Sequence, residues 1–191
     1  MSKGGESGER SERILDAGEV ERVLGRMASE IVEATGGAER LGIVGIRRGG
    51  VTLSARLAHA VAGLGPAEPP VGSVDIALYR DDAATALPDP KIGPSVVPFD
   101  VAGRDVVLVD DVLQTGRTVR AAIECLLDYG RPRRIWLAVL LDRGGRELPV
   151  AADFVGRTLE VPLGAKVRVE LAETPGSGRD GARLERGAET P

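Results

Sequence analysis

Residues Val106–Thr118, with the sequence VVLVDDVLQTGRT, set the architecture of the chain. The first four are a continuous apolar run, which is typical of a strand covered on both faces. Two aspartates and a Thr-Gly loop follow the run, and Val119, Ile123 and Leu126 then recur at helical spacing. A buried strand that enters a helix through a short loop is the repeating unit of α/β proteins.

Strand and helix patterns alternate on both sides of this stretch. Asp16 and Glu19 form a capping box at the start of an amphipathic helix, which ends at the Gly-Gly pair 36–37. Helical spacing returns after residue 50. Further strands are predicted at residues 41–46, 74–78, 135–141 and 167–171. The predicted fold class is therefore α/β, with a mostly parallel central sheet flanked by helices.

The composition excludes several classes of protein. A single cysteine among 191 residues rules out an internal disulfide framework and favours a cytoplasmic location. No apolar run approaches the roughly 20 residues of a membrane span. Lys and Arg total 25 against 29 Asp and Glu, and aromatic residues are 3% of the chain. This balance counts against indiscriminate nucleic-acid binding and against an aromatic platform for single-stranded RNA.

The two ends of the chain hold few large apolar side chains. We therefore predict disordered tails at residues 1–12 and 173–191 around a single domain at 13–172. Within the second tail, Gly176–Gly181 matches the dinucleotide fingerprint G-x-G-x-x-G, but no amphipathic helix follows it, so we interpret the match as accidental. Residues 80–95 lack periodicity and contain three prolines, which predicts either a functional lid or a plain disordered connection.

Ligands bind open parallel sheets beyond the carboxyl ends of the strands, and two such ends carry chemistry here. At the first, Thr115–Thr118 form the turn into a helix, where backbone N–H groups, two hydroxyls and the helix dipole converge. This combination predicts a monophosphate pocket, in which Gly116 permits close backbone approach. Asp110 and Asp111 precede the pocket and suit the vicinal hydroxyls of a ribose, or a Mg²⁺ ion bridging to it.

The second end is Gly45–Gly50, GIRRGG, which offers glycines, two guanidinium groups and another helix start. It is predicted to be a second anion site, with a solvated turn as the alternative. A 5′-phosphate site, a ribose site and a second basic phosphate loop together describe phosphoribosyl pyrophosphate. Residues 80–95 would then be the lid that excludes water from the reaction.

The stretch Val106–Thr118 resembles the phosphoribosyl-pyrophosphate motif of type I phosphoribosyltransferases, which consists of four apolar residues, two acids and a Thr-Gly loop. Three further segments narrow the resemblance: DIALYRDD at 75–82, Gly-Arg-Pro at 130–132 and LLDRGGRELP at 140–149. These segments are similar, in order and in spacing, to the bifunctional pyrimidine operon attenuator and uracil phosphoribosyltransferase proteins. The resemblance covers residues 14–171.

The resemblance implies a type I phosphoribosyltransferase fold with a small hood and a flexible lid. It implies transfer of phosphoribose from phosphoribosyl pyrophosphate to uracil, giving UMP and pyrophosphate with Mg²⁺, in a cytoplasmic homodimer or higher homo-oligomer. It also implies uridine-nucleotide-dependent binding to the leader mRNA of pyrimidine operons, which represses the biosynthetic genes by transcription attenuation.

Specific residues follow from the matched motifs. The implied substrate-binding residues are Arg48, Gly49, Asp110, Asp111, Val112, Leu113, Gln114, Thr115, Gly116, Arg117 and Thr118. The implied catalytic residues are Asp111 and Arg80. Asp110 and Asp111 would hold the metal indirectly, through the substrate. The implied RNA-binding residues are Arg22, Arg26 and Arg146.

The chain departs from the family pattern in two places. The family's first loop, Gly-Ile-x-Thr-Arg-Gly, has Arg48 here in place of the Thr and Gly49 in place of the Arg, which would weaken or re-aim the contact with pyrophosphate. On the RNA side, the expected Thr, His, Arg and His are replaced by Gly25, Ser29, Ala34 and Gly145. Fewer phosphate-binding side chains imply weaker RNA binding.

Three functions therefore stay open: a uracil phosphoribosyltransferase, a nucleotide-sensing RNA-binding regulator with vestigial catalysis, and a transferase for another base such as hypoxanthine or orotate. A receiver domain also places an acidic pair after a strand, but near its N-terminus, and it would leave Thr115–Thr118 unexplained. We interpret His59 as an exposed helix residue and Cys125 as a small core residue.

Overall fold

The computed structural model describes residues 11–79, 94–162, 164–174 and 176–186. The helices are α1 (Ala17–Thr35), α2 (Gly50–Ala62) and α3 (Arg117–Leu127). The strands are β1 (Ser11–Leu15), β2 (Leu41–Ile46), β3 (Val71–Val74), β4 (Asp105–Leu113), β5 (Arg134–Asp142), β6 (Phe154–Thr158), β7 (Lys166–Glu170) and β8 (Gly181–Glu185). None of these helices is long and apolar enough to cross a membrane. Most of the predicted lid, including Arg80, lies outside the described residues.

A five-stranded sheet with the order β3-β2-β4-β5-β6 forms the centre of the molecule, and every neighbouring pair is parallel. β4 lies in the middle, with its run Val106–Val109 buried. Val107 and Val109 pack with α1 and α2, whereas Val106 and Leu108 pack with α3. Burial of both faces explains the unbroken apolar run. The predicted α/β class with a parallel central sheet is confirmed.

α1 begins and ends as the sequence predicts. Asp16 Oδ1 accepts a hydrogen bond from the Glu19 N–H at 2.9 Å, and Glu19 Oε2 accepts one from the Asp16 N–H at 2.9 Å. Such a cap stabilises a helix by about 1 kcal/mol. Gly36 ends α1 in the left-handed conformation, with φ 71°. The interpretations of His59 as exposed and of Cys125 as buried are also confirmed.

A second, antiparallel sheet with the order β1-β8-β7 forms the hood. β8 lies inside residues 173–191, so the predicted C-terminal tail is wrong for Gly181–Glu185. Its apolar side chains, Ala182 and Leu184, are buried because β1 and β7 pair with both edges of the strand. β1 likewise includes residues 11 and 12 of the predicted N-terminal tail.

The two strands β6 and β7 belong to different sheets, which the sequence pattern did not indicate. The strand predicted at 167–171 is confirmed as β7, but it belongs to the hood. The edge strand of the central sheet next to β5 is β6, which was not predicted. The burial pattern of β6 does not alternate cleanly, because Gly156 and Arg157 interrupt its apolar residues. Periodicity therefore gave no signal for it.

Arg56 of α2 anchors the segment between β7 and β8. Its guanidinium group donates to Asp180 at 2.6 and 2.8 Å and to Glu173 at 2.9 Å. Hydrogen bonds from Arg56 lower the pKa of each carboxyl below its ordinary value. The same contacts raise the pKa of the Arg56 guanidinium. This charged network holds the chain that leads into β8 against α2.

We expect Arg56→Gln to lower the free energy of unfolding by about 1 kcal/mol at neutral pH, because water screens these partly exposed pairs. Folding lowers the two carboxyl pKa values, so this stability is present above the ordinary carboxyl pKa of about 4 and is lost as the pH falls through the lowered values. Thermal unfolding of both proteins across the acidic range measures the difference.

Arg168→Gln is the matched control for this prediction. Arg168 lies 3.4 Å from Glu185 in the hood, and its side chain is 63% exposed. An exposed pair of this kind contributes little to stability, so the control should unfold like the unchanged protein. Equal losses in the two variants, or a loss in Arg56→Gln that persists at acidic pH, would contradict the prediction.

Candidate active site

The acidic pair lies at the carboxyl end of β4. The apolar run alone predicted that the strand ends at Val109, but pairing with β5 continues through Leu113. Asp110 and Asp111 therefore lie within the strand and not beyond it. Asp110 is only 6% exposed, whereas Asp111 is half-buried.

The main chain orients both carboxylates. Asp110 Oδ1 accepts a hydrogen bond from the Asp111 N–H at 3.0 Å, and Asp111 Oδ1 accepts one from the Val112 N–H at 2.9 Å. Burial, and then the adjacent charge of Asp111, raise the pKa of Asp110 well above its ordinary value. A buried carboxylate beside a second one is stabilised by hydroxyl donors or by a cation. The pair is thus suited to a ribose or to a magnesium ion.

The loop between β4 and α3 borders a cavity of about 600 Å³. The cavity is lined by Asp110, Asp111, Val112, Leu113, Gln114, Thr115, Gly116, Arg117, Thr118, Val119, Arg143, Glu147 and Val167. Gly116 has φ 90°, a left-handed conformation that favours glycine, and α3 begins at the next residue. The structure thus brings every predicted residue from Asp110 to Thr118 to one cavity at a helix N-terminus, where anions bind well.

The second predicted loop lies directly against the acidic pair. Its Arg47–Arg48 peptide bond is cis, and Arg48 is exposed. A Cβ atom on Gly49 would lie 2.2 Å from Asp111 Cγ, which is far inside van der Waals contact. The loop and the Asp111 carboxylate therefore occupy adjoining space. A ligand held by Asp111 is within reach of this loop.

Four residues of the cavity wall were not predicted as site residues: Val119, which follows the predicted turn directly, and Arg143, Glu147 and Val167. Arg143 donates from Nη2 to the Ala165 carbonyl oxygen at 2.9 Å. Glu147 accepts a hydrogen bond from Arg117 Nε at 2.6 Å. Val167 belongs to β7 and brings the hood to the cavity. Arg143 and Glu147 lie in the LLDRGGRELP segment that carried the resemblance, and this segment was the available signal.

The three arginines implied for RNA contact have different surroundings. Arg22 is exposed on α1. Arg26, also on α1, donates to Glu30 at 2.6 Å and to two main-chain carbonyls of β6 at 3.0 and 2.6 Å. Arg146 donates to Asp142 and to several main-chain oxygens, and its side chain is 25% exposed. RNA contact through Arg26 or Arg146 would first cost these internal hydrogen bonds.

The donor set fits a metal only when the substrate takes part. Among the described residues, no group of three or more His, Cys, Asp and Glu side chains could hold a metal ion. Asp110 and Asp111 offer carboxylate oxygens, which are ligands that Mg²⁺ prefers. The remaining ligands would be oxygens of a phosphorylated substrate and water. The implied indirect coordination of Mg²⁺ stays a prediction.

A parallel sheet whose middle strand carries two acids near its carboxyl end and leads into a glycine turn at a helix N-terminus lies beside a small antiparallel hood, and solved phosphoribosyltransferases share this fold. A hypoxanthine phosphoribosyltransferase from Staphylococcus aureus has a TM-score of 0.68 with this chain at 16% identity, and 99% of each chain is covered. An HGPRT-ase from Leishmania tarentolae in complex with GMP has a TM-score of 0.66 at 19% identity, covering 93% of this chain and 98% of that one. At these identities the likeness shows the fold alone.

Sequence similarity narrows the class. The family model of the phosphoribosyl transferase domain matches residues 10–171. The bifunctional protein PyrR of Chloroflexus aurantiacus is 51% identical over 164 residues, which are 86% of this chain and 90% of that protein. PyrR of Thermus aquaticus is 49% identical over 166 residues, or 87% of this chain and 92% of that protein. The chain therefore belongs to the phosphoribosyltransferase family and, within it, to the bifunctional PyrR proteins.

Proposed function

We propose that this chain is a uracil phosphoribosyltransferase that also regulates pyrimidine biosynthesis genes by uridine-nucleotide-dependent binding to their mRNA. The reaction joins uracil to phosphoribosyl pyrophosphate and gives UMP and pyrophosphate. The observation that carries the proposal is the cavity in which Asp110 and Asp111 adjoin both phosphate loops. Membership of the bifunctional PyrR proteins supports uracil as the base and the operon as the regulated target.

Different residues of the site are assigned to different parts of the substrate. The N–H groups at the start of α3 and the hydroxyls of Thr115 and Thr118 bind the 5′-phosphate. Asp110 and Asp111 accept hydrogen bonds from the ribose hydroxyls. Arg48 and Gly49 are assigned to the pyrophosphate, and Arg80, which lies outside the described residues, stays a catalytic residue implied by the resemblance. Each charged part of phosphoribosyl pyrophosphate is thus assigned to a group of suitable chemistry.

Electrostatic stabilisation is the principal demand of the reaction. Loss of pyrophosphate leaves an oxocarbenium-like C1′ and a highly charged leaving group. Preorganised charges and dipoles are the usual source of rate enhancement in such a step. Asp111 adjoins the Gly45–Gly50 loop, so its carboxylate is within reach of a substrate bound to that loop, and it is the proposed catalytic residue. Bound Mg²⁺ would neutralise part of the pyrophosphate charge.

A nucleotide-sensing regulator with weak catalysis is the second candidate. Gly49 favours it, because the first loop has no side chain at the position where the family has an arginine. The internal hydrogen bonds of Arg26 weaken the RNA half of the same candidate. A transferase for hypoxanthine or orotate is the third candidate, although the PyrR relatives oppose it.

A base panel separates these candidates. Pyrophosphate release is measured with phosphoribosyl pyrophosphate, Mg²⁺ and one of uracil, hypoxanthine, guanine or orotate. We expect turnover with uracil and none above background with the other bases. Turnover with a different base would replace the proposed substrate, and no turnover with any base would leave only the regulatory function.

An electrophoretic mobility shift assay tests the regulatory half. The probe is the leader mRNA of the organism's own pyrimidine operon, with and without UMP, at several salt concentrations. We expect UMP to tighten binding and salt to weaken it. Binding that ignores UMP at every salt concentration would contradict the proposed regulation. We also propose a cytoplasmic homodimer or higher homo-oligomer, and sedimentation of the purified protein measures its size.

A further inference from the structure

Three successive carbonyl groups of the phosphate loop are held by one neighbouring segment. The Leu113 oxygen accepts a hydrogen bond from the Arg143 N–H at 3.1 Å. The Gln114 oxygen accepts one from Arg146 Nη1 at 2.8 Å. The Thr115 oxygen accepts from two N–H groups, those of Glu147 and Leu148, at 3.0 Å each. We call residues 142–150 the bracket, since they hold the outer side of this loop.

Arg146 is the side chain that joins the bracket to the loop. Its Nη2 donates to Asp142 Oδ2 at 2.5 Å, and its Nε donates to the Val150 oxygen at 2.9 Å. Its Nη1 lies at the Gln114 oxygen and also 3.5 Å from the Leu113 oxygen. All three guanidinium nitrogens are therefore used inside the protein. A lysine ammonium has neither the span nor the planar geometry to contact all of these acceptors.

Peptide geometry links these contacts to the phosphate. In a trans peptide the carbonyl oxygen of one residue and the N–H of the next point in opposite directions. Carbonyls of Leu113, Gln114 and Thr115 that point at the bracket therefore turn the N–H groups of Gln114, Thr115 and Gly116 away from it. The cavity is lined by these same residues. N–H groups presented together in this way form a nest for an anion.

We propose that Arg146 is a positioning residue for the phosphate loop, which orients the N–H groups that bind the 5′-phosphate of the substrate. This inference rests on the phosphate site of the proposed function, and it gives Arg146 a role different from the RNA contact implied by the resemblance. It also explains why the LLDRGGRELP segment packs against the phosphate loop. The segment does not touch the phosphate through Arg146, but it sets the direction of the groups that do.

The test compares UMP with uridine, which lacks the 5′-phosphate. Isothermal titration gives the dissociation constants of both ligands. The Kd of uridine divided by the Kd of UMP, called here the UMP-to-uridine ratio of affinities, isolates the contribution of the phosphate. We expect Arg146→Gln to reduce this ratio by about tenfold, the effect of losing a charge-assisted hydrogen bond, while uridine affinity changes less than about twofold. Arg146→Lys should have a ratio between those of Arg146→Gln and the unchanged protein, because a lysine ammonium cannot contact all the acceptors that the planar guanidinium group reaches.

Arg104→Gln is the matched control. Arg104 also donates a hydrogen bond to a main-chain carbonyl, that of Asp100 at 2.9 Å, but it precedes β4 at the opposite end of the strand from the cavity. This variant should keep the full ratio. The KM for phosphoribosyl pyrophosphate should rise in Arg146→Gln with a smaller change in kcat, since ground-state binding of the phosphate is affected.

Each other outcome would overturn the inference. If Arg146→Gln lowers thermal stability but keeps the UMP-to-uridine ratio, the residue has a merely structural role. If the ratio is kept and leader mRNA binding is lost, Arg146 is an RNA contact. These failures are distinguishable from failure of the proposed function, which would appear as no UMP formation by the unchanged protein in the base panel.

Discussion

The double variant Asp110→Asn, Asp111→Asn is expected to form UMP with a kcat/KM lowered by about 10³-fold or more. Both carboxylates are lost as acceptors for the ribose hydroxyls and as anchors for a substrate-bound Mg²⁺ ion. Asparagine keeps the size of each side chain, so the cavity keeps its shape. Steady-state pyrophosphate release with uracil measures the loss. A decrease of less than about tenfold would remove the acidic pair from the proposed mechanism.

The same variant should be no less stable than the unchanged protein. Burial raises the pKa of Asp110, so the folded state binds its proton more tightly than the unfolded state. The stability that this group contributes is therefore present at acid pH and is lost as the pH rises through the raised value. Above the raised pKa, the ionised Asp110 carboxylate destabilises the folded state, and an uncharged asparagine removes this destabilisation. Thermal unfolding without ligand or Mg²⁺ measures it, and a strongly lowered Tm would show that inactivity reflects unfolding.

Gly49→Ala is expected to lower kcat/KM by about 10²-fold with little change in stability. The backbone at Gly49 has φ −65° and ψ −35°, which any residue adopts, so strain is not the cause. The new Cβ would lie 2.2 Å from Asp111 Cγ, and the short side chain of Asp111 must move. Displacement of a reacting group by about 1 Å costs a loss of this size. Steady-state kinetics and thermal unfolding of the variant measure the two effects.

Gly50→Ala provides the matched comparison at the neighbouring glycine. A Cβ atom there would lie 1.9 Å from the Val109 carbonyl oxygen, and backbone cannot move aside as a carboxylate can. We expect this variant to lose several kcal/mol of stability, as overpacking in a tight contact does. If Gly49→Ala is equally destabilised, the contact with Asp111 is structural and not specific to catalysis.

The central architecture could be predicted because its signals are local. The apolar run Val106–Val109 shows its burial on both faces in four consecutive residues, although one face is covered by the distant helices α1 and α2, and the cap at Asp16 involves residues three positions apart. The phosphate loop is likewise contained in one stretch, with Gly116 at the position that needs a positive φ. Each of these features can be read without knowledge of distant contacts.

The resemblance implied a hood, and local patterning gave its strand β7, but β1 and β8 could not be predicted from local patterns because they pair with each other across almost the whole chain. β8 has two buried apolar side chains, and its burial depends on β1, which lies at the other end of the described chain. The tail was predicted because residues 173–191 contain few apolar side chains. Composition alone does not show that β8 pairs with distant strands. The same limit applies to Arg146, whose acceptors lie on two separate segments.

The pairing of Ser11 with Glu185 places the first and last described strands side by side. A shortened protein ending at residue 172 would lose the middle strand of the hood, and the unpaired edges of β1 and β7 would be open to other chains. A linker of a few residues between the two ends would instead close the polypeptide into a ring without disturbing either sheet. New termini opened at an exposed turn would leave both sheets paired, so we expect the solubility of a circular permutant, measured on expression, to exceed that of the shortened protein.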